Sequence, residues 1–167
     1  MVFIAITGTP GVGKSFIATY LASHVKEGVR IDLHPHYKAL SSSYDYSGRC
    51  YNLDFARVRK FVSGVVKNKE GVYFLDSHVA HRLPSALVDL VIVLTCSDLK
   101  IISSRLVARR YPKAKIAENL ECEMFHVCEE EAFAAHKNVI SVDVTRAGYE
   151  KKILLMVKKF LRGRGEK

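Results

Sequence analysis

Gly8-Thr9-Pro10-Gly11-Val12-Gly13-Lys14-Ser15 is the stretch on which the reading of this chain turns. It has the form G-x-x-x-x-G-K-[ST], and its flanks have the right character. The apolar run Val2-Phe3-Ile4-Ala5-Ile6 enters it as a strand, and Phe16-Ile17-Ala18-Thr19-Tyr20-Leu21-Ala22 leaves it as a helix. Glycines at 8, 11 and 13 let the backbone curl so that several N–H groups converge on one anion. The helix that follows adds about half a positive charge at its start. Such a loop cradles the phosphates of a nucleotide, here with Gly8, Pro10, Gly11, Val12, Gly13, Lys14, Ser15 and Phe16 as contacts. Lys14 reaches the outer phosphates and the Ser15 hydroxyl is placed to ligate Mg²⁺.

Outward from the loop, apolar runs alternate with helical patterns. Strands are expected at Val2–Thr7, Val29–Leu33, Val72–Asp76, Leu87–Leu94 and Val139–Val142. The last three are continuously apolar, as parallel strands covered on both faces require. Asn52-Leu53-Asp54 opens a helix that stops near Gly71, with Phe55, Val58, Phe61, Val62, Val65 and Val66 at helical spacing. Asp98 caps a helix through about Arg109, which Pro112 then breaks. One further helix is expected from about Ala117 to His136, with Phe125 in the core and most of its charged residues facing solvent. A last helix runs from Arg146 to Leu161. With right-handed crossovers this gives an α/β three-layer sandwich on a five-stranded parallel sheet. Pro35 to Arg49 is polar, aromatic and weakly periodic, and reads as a helical insertion or mobile flap.

Composition narrows the class. At 167 residues, 49% of them hydrophobic, the chain has the size of one globular domain, 1–167. No stretch approaches the ~20 apolar residues of a membrane span. The start runs directly into a strand, without a basic segment and cleavage site, which argues against secretion. Cys50, Cys96, Cys122 and Cys128 lack C-x-x-C spacing and suit free thiols in a reducing cytoplasm. The formal charge is +9, with a cluster of lysines and arginines between Lys151 and Lys167. A polyanionic partner such as nucleic acid would need that surplus, and a solvated basic helix end accounts for it equally.

Three further constellations carry chemistry. Val72-Tyr73-Phe74-Leu75-Asp76 ends an apolar strand in a carboxylate, the second acidic site that a phosphate loop needs to order Mg²⁺. His78 follows two residues later, and either positions a water or packs at the sheet edge. His81 reads as structural. Arg105 and Arg109 share a helix face and are placed to clamp a transferring phosphoryl group. The Pro112-Lys113-Ala114-Lys115 turn after them forms a short lid. Asp32, ending the second strand beside the loop, either meets a second substrate or the metal shell, or caps a turn.

Together, G-T-P-G-V-G-K-S, L-D-S-H-V-A-H-R-L-P, R-L-V-A-R-R-Y-P and K-I-A-E-N-L-E-C-E-M-F resemble the adenylate kinase isoenzyme 6 family, in order, from residue 1 to about 160. The resemblance implies a P-loop nucleoside monophosphate kinase-like fold, with a monophosphate flap at about 34–68 and a lid at about 109–119. It implies adenylate kinase and ATPase activity with ATP and Mg²⁺, converting ATP and AMP to two ADP. It also implies a role in maturation of the small ribosomal subunit, through the platform ribosomal protein uS11 and contact with rRNA. The family's D-x-H pair falls on Asp76 and His78, and its lid arginine on Arg109. Lys14, Asp76, His78, Arg105 and Arg109 are thus the expected catalytic residues, with Ser15 and Asp76 at the metal. The chain departs from typical members in having Arg109-Arg110-Tyr111 in the lid and a much less acidic flap from Ser42 to Cys50.

Overall fold

The computed structural model describes residues 1–46, 50–66 and 70–165. A five-stranded parallel sheet runs through it: β1 (Val2–Thr7), β2 (Gly28–Asp32), β5 (Val72–Asp76), β6 (Leu90–Thr95) and β7 (Val139–Asp143). Their spatial order is β2-β5-β1-β6-β7, with the loop-bearing strand in the centre. Ile4 lies opposite Phe74 on one side and Leu90 on the other. Alternate residues leave a strand on opposite faces, so an apolar strand covered twice feeds two cores. Ile4, Ile6, Phe74 and Ile92 pack against Ile17 and Leu21 of α1 (Lys14–His24). Ile102 and Leu106 of α4 (Leu99–Ala108) and Ile153 and Val157 of α7 (Tyr149–Gly165) complete that layer. On the other face Phe3, Ala5, Leu75, Val91 and Val93 meet Val58, Val62 and Val66 of α3 (Phe55–Val66). This is the three-layer α/β sandwich expected, with all five strands present, β1 and β5 at the expected bounds and the ends of the other three shifted by at most three residues.

Leu87 belongs to a turn, its N–H donating to Pro84 O, which delays β6. Leu33 leaves β2 in a helical conformation and is buried as the chain turns. Gly148 takes a positive φ of 75°, so the last helix starts at Tyr149 rather than Arg146.

Two local expectations are corrected. The helix expected from Ala117 to His136 is two: α5 (Lys113–Met124) and α6 (Val127–Ala135). His126 between them adopts the left-handed conformation at φ 52°. Phe125 at the break is 64% exposed, not core. Pro112 is the N-cap of α5, so it opens a helix as well as ending one.

The flap is also not simply helical. After a 3₁₀ turn (His34–His36) and the short α2 (Tyr37–Leu40), β3 (Ser41–Asp45) pairs antiparallel with β4 (Cys50–Leu53). Tyr44 faces Tyr51 across this hairpin with ring centroids 4.8 Å apart. Aromatic cross-strand pairs of this kind favour the pleated form. The part of the flap at 47–49 lies outside the described residues. Cys96, Cys122 and Cys128 are free thiols. No helix among the described residues is long and apolar enough to cross a membrane.

Candidate active site

The phosphate loop joins β1 to α1 along the C-terminal edge of the sheet. Gly8 lies so close to β6 that a Cβ there would stand 2.3 Å from Leu94 O. Gly13 caps α1 from the left-handed region at φ 111°. Only glycine takes both positions without strain. Lys14 folds back over the loop, donating to Gly8 O at 2.8 Å and Thr9 O at 3.0 Å. Burial lowers the pKa of this ammonium to about 8, against the opposing pull of Asp76. Arg105, on α4, donates from Nη1 to Gly11 O at 2.9 Å and so reaches the loop backbone. Arg109 caps the end of α4, close enough that its charge disfavours that of Lys14. Ser15 and Phe16 lie exposed in the first turn of α1.

Asp76 ends β5 beside the loop and is buried. Its Oδ2 accepts from Arg30 Nη2 at 2.7 Å. The same nitrogen donates to Asp32 Oδ2 at 3.0 Å. Asp32 Oδ1 also accepts from His34 N at 2.9 Å, so this carboxylate caps the turn after β2.

His78 sits against Tyr37, with Nδ1 3.2 Å from the phenol oxygen, which lies 3.1 Å from Ser77 Oγ. Burial first, and then the positive charge of Lys14, lower the His78 pKa to about 4, so the ring is neutral at pH 7. A neutral imidazole has one nitrogen free to accept a proton.

His81 has a different place. Its Nδ1 lies 2.6 Å from Thr7 Oγ1 and its Nε2 2.7 Å from Glu131 Oε2. Arg82 grips Glu131 with two bonds of 3.0 Å. Thr7 in turn donates to His78 O at 3.1 Å. His81 is thus buried in a chain of bonds that braces the turn carrying His78. Its pKa is lowered by burial, against the pull of Glu131.

A cleft of about 740 Å³ opens between the loop, the flap and the lid. His78, Tyr37, Tyr44, Tyr51, Arg109 and Tyr111 are among its walls. The oxygen donors Ser15 and Asp76 suit Mg²⁺, which takes one or two protein oxygens and leaves the rest to phosphate and water. Among the described residues, no group of three or more His, Cys, Asp or Glu is placed to hold a metal ion.

Three participants were not anticipated from the sequence. Arg30 stands two residues before Asp32 on one strand, so strand periodicity alone could have put both on one face. Tyr37 lay in a weakly periodic segment and carried no signal. Glu123 was expected to face solvent with its neighbours on α5. It is instead buried, accepts from Cys96 N at 2.5 Å, and has its pKa raised by that burial. It anchors the lid helix to the end of β6.

The comparisons with known proteins bear on the family and the fold. The model of the family described as AAA domain matches residues 4–126. An adenylate kinase isoenzyme 6 homolog of Dictyostelium discoideum is 38% identical over 144 residues, covering 84% of this chain and 79% of its own length. The adenylate kinase isoenzyme 6 homolog FAP7 of Saccharomyces cerevisiae is 30% identical over 143 residues, covering 84% of this chain and 71% of its own. Among solved structures, a shikimate kinase from Acinetobacter baumannii in complex with shikimate is similar over 100% of this chain and 96% of its own. Its TM-score is 0.60 at 9% identity, a likeness of fold alone.

Proposed function

The chain belongs to the adenylate kinase isoenzyme 6 family, and from that premise we propose that it is an ATP-dependent phosphotransferase that makes two ADP from ATP and AMP and also hydrolyses ATP. The observation that carries this reading is a phosphate-loop lysine, Lys14, whose charge is felt by both Asp76 and a neutral His78 that lines the cleft.

In the transfer to AMP, an oxygen of the acceptor phosphate forms the new bond to the γ-phosphorus as the bond to the β–γ bridging oxygen breaks, and ADP leaves. Loop amides and Lys14 hold the β- and γ-phosphates in line. Arg105 and Arg109 offset charge on the moving phosphoryl group. Ser15 and Asp76 would hold Mg²⁺, which neutralises phosphate charge when bound. In hydrolysis a water replaces the acceptor. His78, uncharged at pH 7 and steadied by Tyr37, orients that water and can take its proton. The hairpin tyrosines Tyr44 and Tyr51 offer ring faces against which the acceptor's base can stack, in a flap spanning about 34–68. The lid at about 109–119 closes over the nucleotide.

The same reading places the protein in the cytoplasm, acting in maturation of the small ribosomal subunit by binding the platform protein uS11 and touching rRNA. The formal charge of +9 supports such a neighbourhood. Turnover measured with and without AMP, and with and without the ribosomal protein, tests the proposal. Lys14→Ala abolishes both activities if the site is right, and near-normal turnover in that variant sinks it. AMP phosphorylation far faster than hydrolysis, unmoved by the ribosomal protein, would leave a purely metabolic kinase. Intact ribosomal-protein binding and maturation in Asp76→Ala/His78→Ala would leave a non-catalytic chaperone.

A further inference from the structure

Asp32 and Asp76 are register partners at the ends of β2 and β5, so their side chains leave the sheet on the same face. Two carboxylates at that spacing repel. Arg30, two residues before Asp32, shares the face and lies between them. A single nitrogen, Nη2, donates to both, at 2.7 Å to Asp76 and 3.0 Å to Asp32. Nη1 donates to Thr19 Oγ1 at 3.2 Å, one turn of α1 beyond Ser15. The third donor, Nε, is buried with no hydrogen-bond partner. The guanidinium is therefore placed where the carboxylates need it, at the cost of one of its own bonds.

Three of the four carboxylate oxygens accept described hydrogen bonds: Asp32 Oδ1 from His34 N, Asp32 Oδ2 and Asp76 Oδ2 from Arg30. Asp76 Oδ1 is the one left for a metal-bound water. The pair carries one net negative charge with Arg30 and two without it. A bare divalent ion gains little from such a partly neutralised unit. The same ion arriving on a polyphosphate brings its own oxygen ligands and charge.

Resting on the reading of Ser15 and Asp76 as the Mg²⁺ shell, we infer that Arg30 is a positioning residue for the metal, one that aims Asp76 by a single oxygen and admits divalent metal only together with nucleotide phosphate.

Binding of Mn²⁺ alone, followed by electron paramagnetic resonance, tests this on the full chain. Wild type binds Mn²⁺ weakly without nucleotide. Arg30→Met, which keeps the length and removes the charge, binds Mn²⁺ about tenfold tighter, while its circular dichroism stays that of wild type. A general loss of structure would change that spectrum and weaken Mn²⁺ binding. Arg30→Lys keeps the charge and restores weak Mn²⁺ binding. If Arg30→Met does not fold, Arg30→Met/Asp32→Asn decides, because it removes one charge of each sign. Tighter Mn²⁺ binding there than in wild type supports occupation of Asp76 by the guanidinium. Unchanged Mn²⁺ binding in both variants overturns the inference. Wild type that fails to bind Mg-ATP at all overturns the proposed function instead.

Discussion

Gly8→Ala is a sharp test of how the phosphate loop is built. The residue has φ +132°, and an added Cβ would lie 2.3 Å from the Leu94 carbonyl oxygen and 3.2 Å from Val12 Cγ1. Real Cβ atoms essentially never come closer than 3.0 Å, so the loop must retreat from β6 by about 0.7 Å. Leu94 sits in the buried middle layer and cannot yield. A side chain held in that backbone region costs about 1–3 kcal/mol, and the forced shift costs about 1–3 kcal/mol more. A net loss near 3 kcal/mol, with a urea slope of about 2 kcal/mol per molar, lowers the unfolding midpoint by roughly 1.5 M. Gly64→Ala is the matched control. It sits exposed within α3, nothing lies within 4 Å of its added Cβ, and its φ is ordinary. That variant gains about 0.5–1 kcal/mol. Urea unfolding followed by circular dichroism, alongside ATP titration, reads both variants. A Gly8→Ala protein with the midpoint and ATP affinity of wild type would refute the packing of loop against β6.

Three more outcomes follow from the site and its surroundings. Lys14 has its pKa lowered to about 8 by burial, so at pH 8.5 it is about three-quarters uncharged. Phosphate at the loop favours the charged form, and ATP binding should take up roughly 0.7 proton. Calorimetry in buffers of different ionisation enthalpy measures that uptake, and Lys14→Met should abolish it. Because the unfolded lysine titrates near 10.5, this residue's contribution to stability rises as pH climbs from about 8 to 10.5. Asp143 has the same sign in an acid window: burial acts to raise its pKa, but bonds from Thr145 and Ser97 hold it at about 2. Its stabilising effect is present above the ordinary value near 3.8 and fades as pH falls toward 2. The stability gap between wild type and Asp143→Asn should therefore be open at pH 7 and closed at pH 2 in denaturation experiments. Leu106→Ala, in a fully buried position under the loop, should cost about 2–5 kcal/mol in urea unfolding; a loss under 1 kcal/mol would mean that this layer packs loosely.

The sequence by itself settles what depends on neighbours along the chain. The loop from Gly8 to Ser15 is legible because its chemistry is backbone amides, one lysine and one hydroxyl at consecutive positions. The inner strands are legible because burial on both faces leaves a largely apolar run, as in Val72 to Leu75 and Leu90 to Leu94. Asp98 is legible as a cap because its carboxylate accepts from Lys100 N, two residues on. The break at His126 was not, because no glycine or proline marks it. The antiparallel pairing of Ser41–Asp45 with Cys50–Leu53 was not, because cross-strand pairing of Tyr44 with Tyr51 has no periodic signature in so short a segment. Tertiary structure alone decided the joining of Arg30 to Asp76, 46 residues apart, and the burial of Glu123 among glutamates that look alike in sequence. A charge's partner and its dielectric surroundings depend on which strands and helices end side by side, and that arrangement exists only once the sheet has formed.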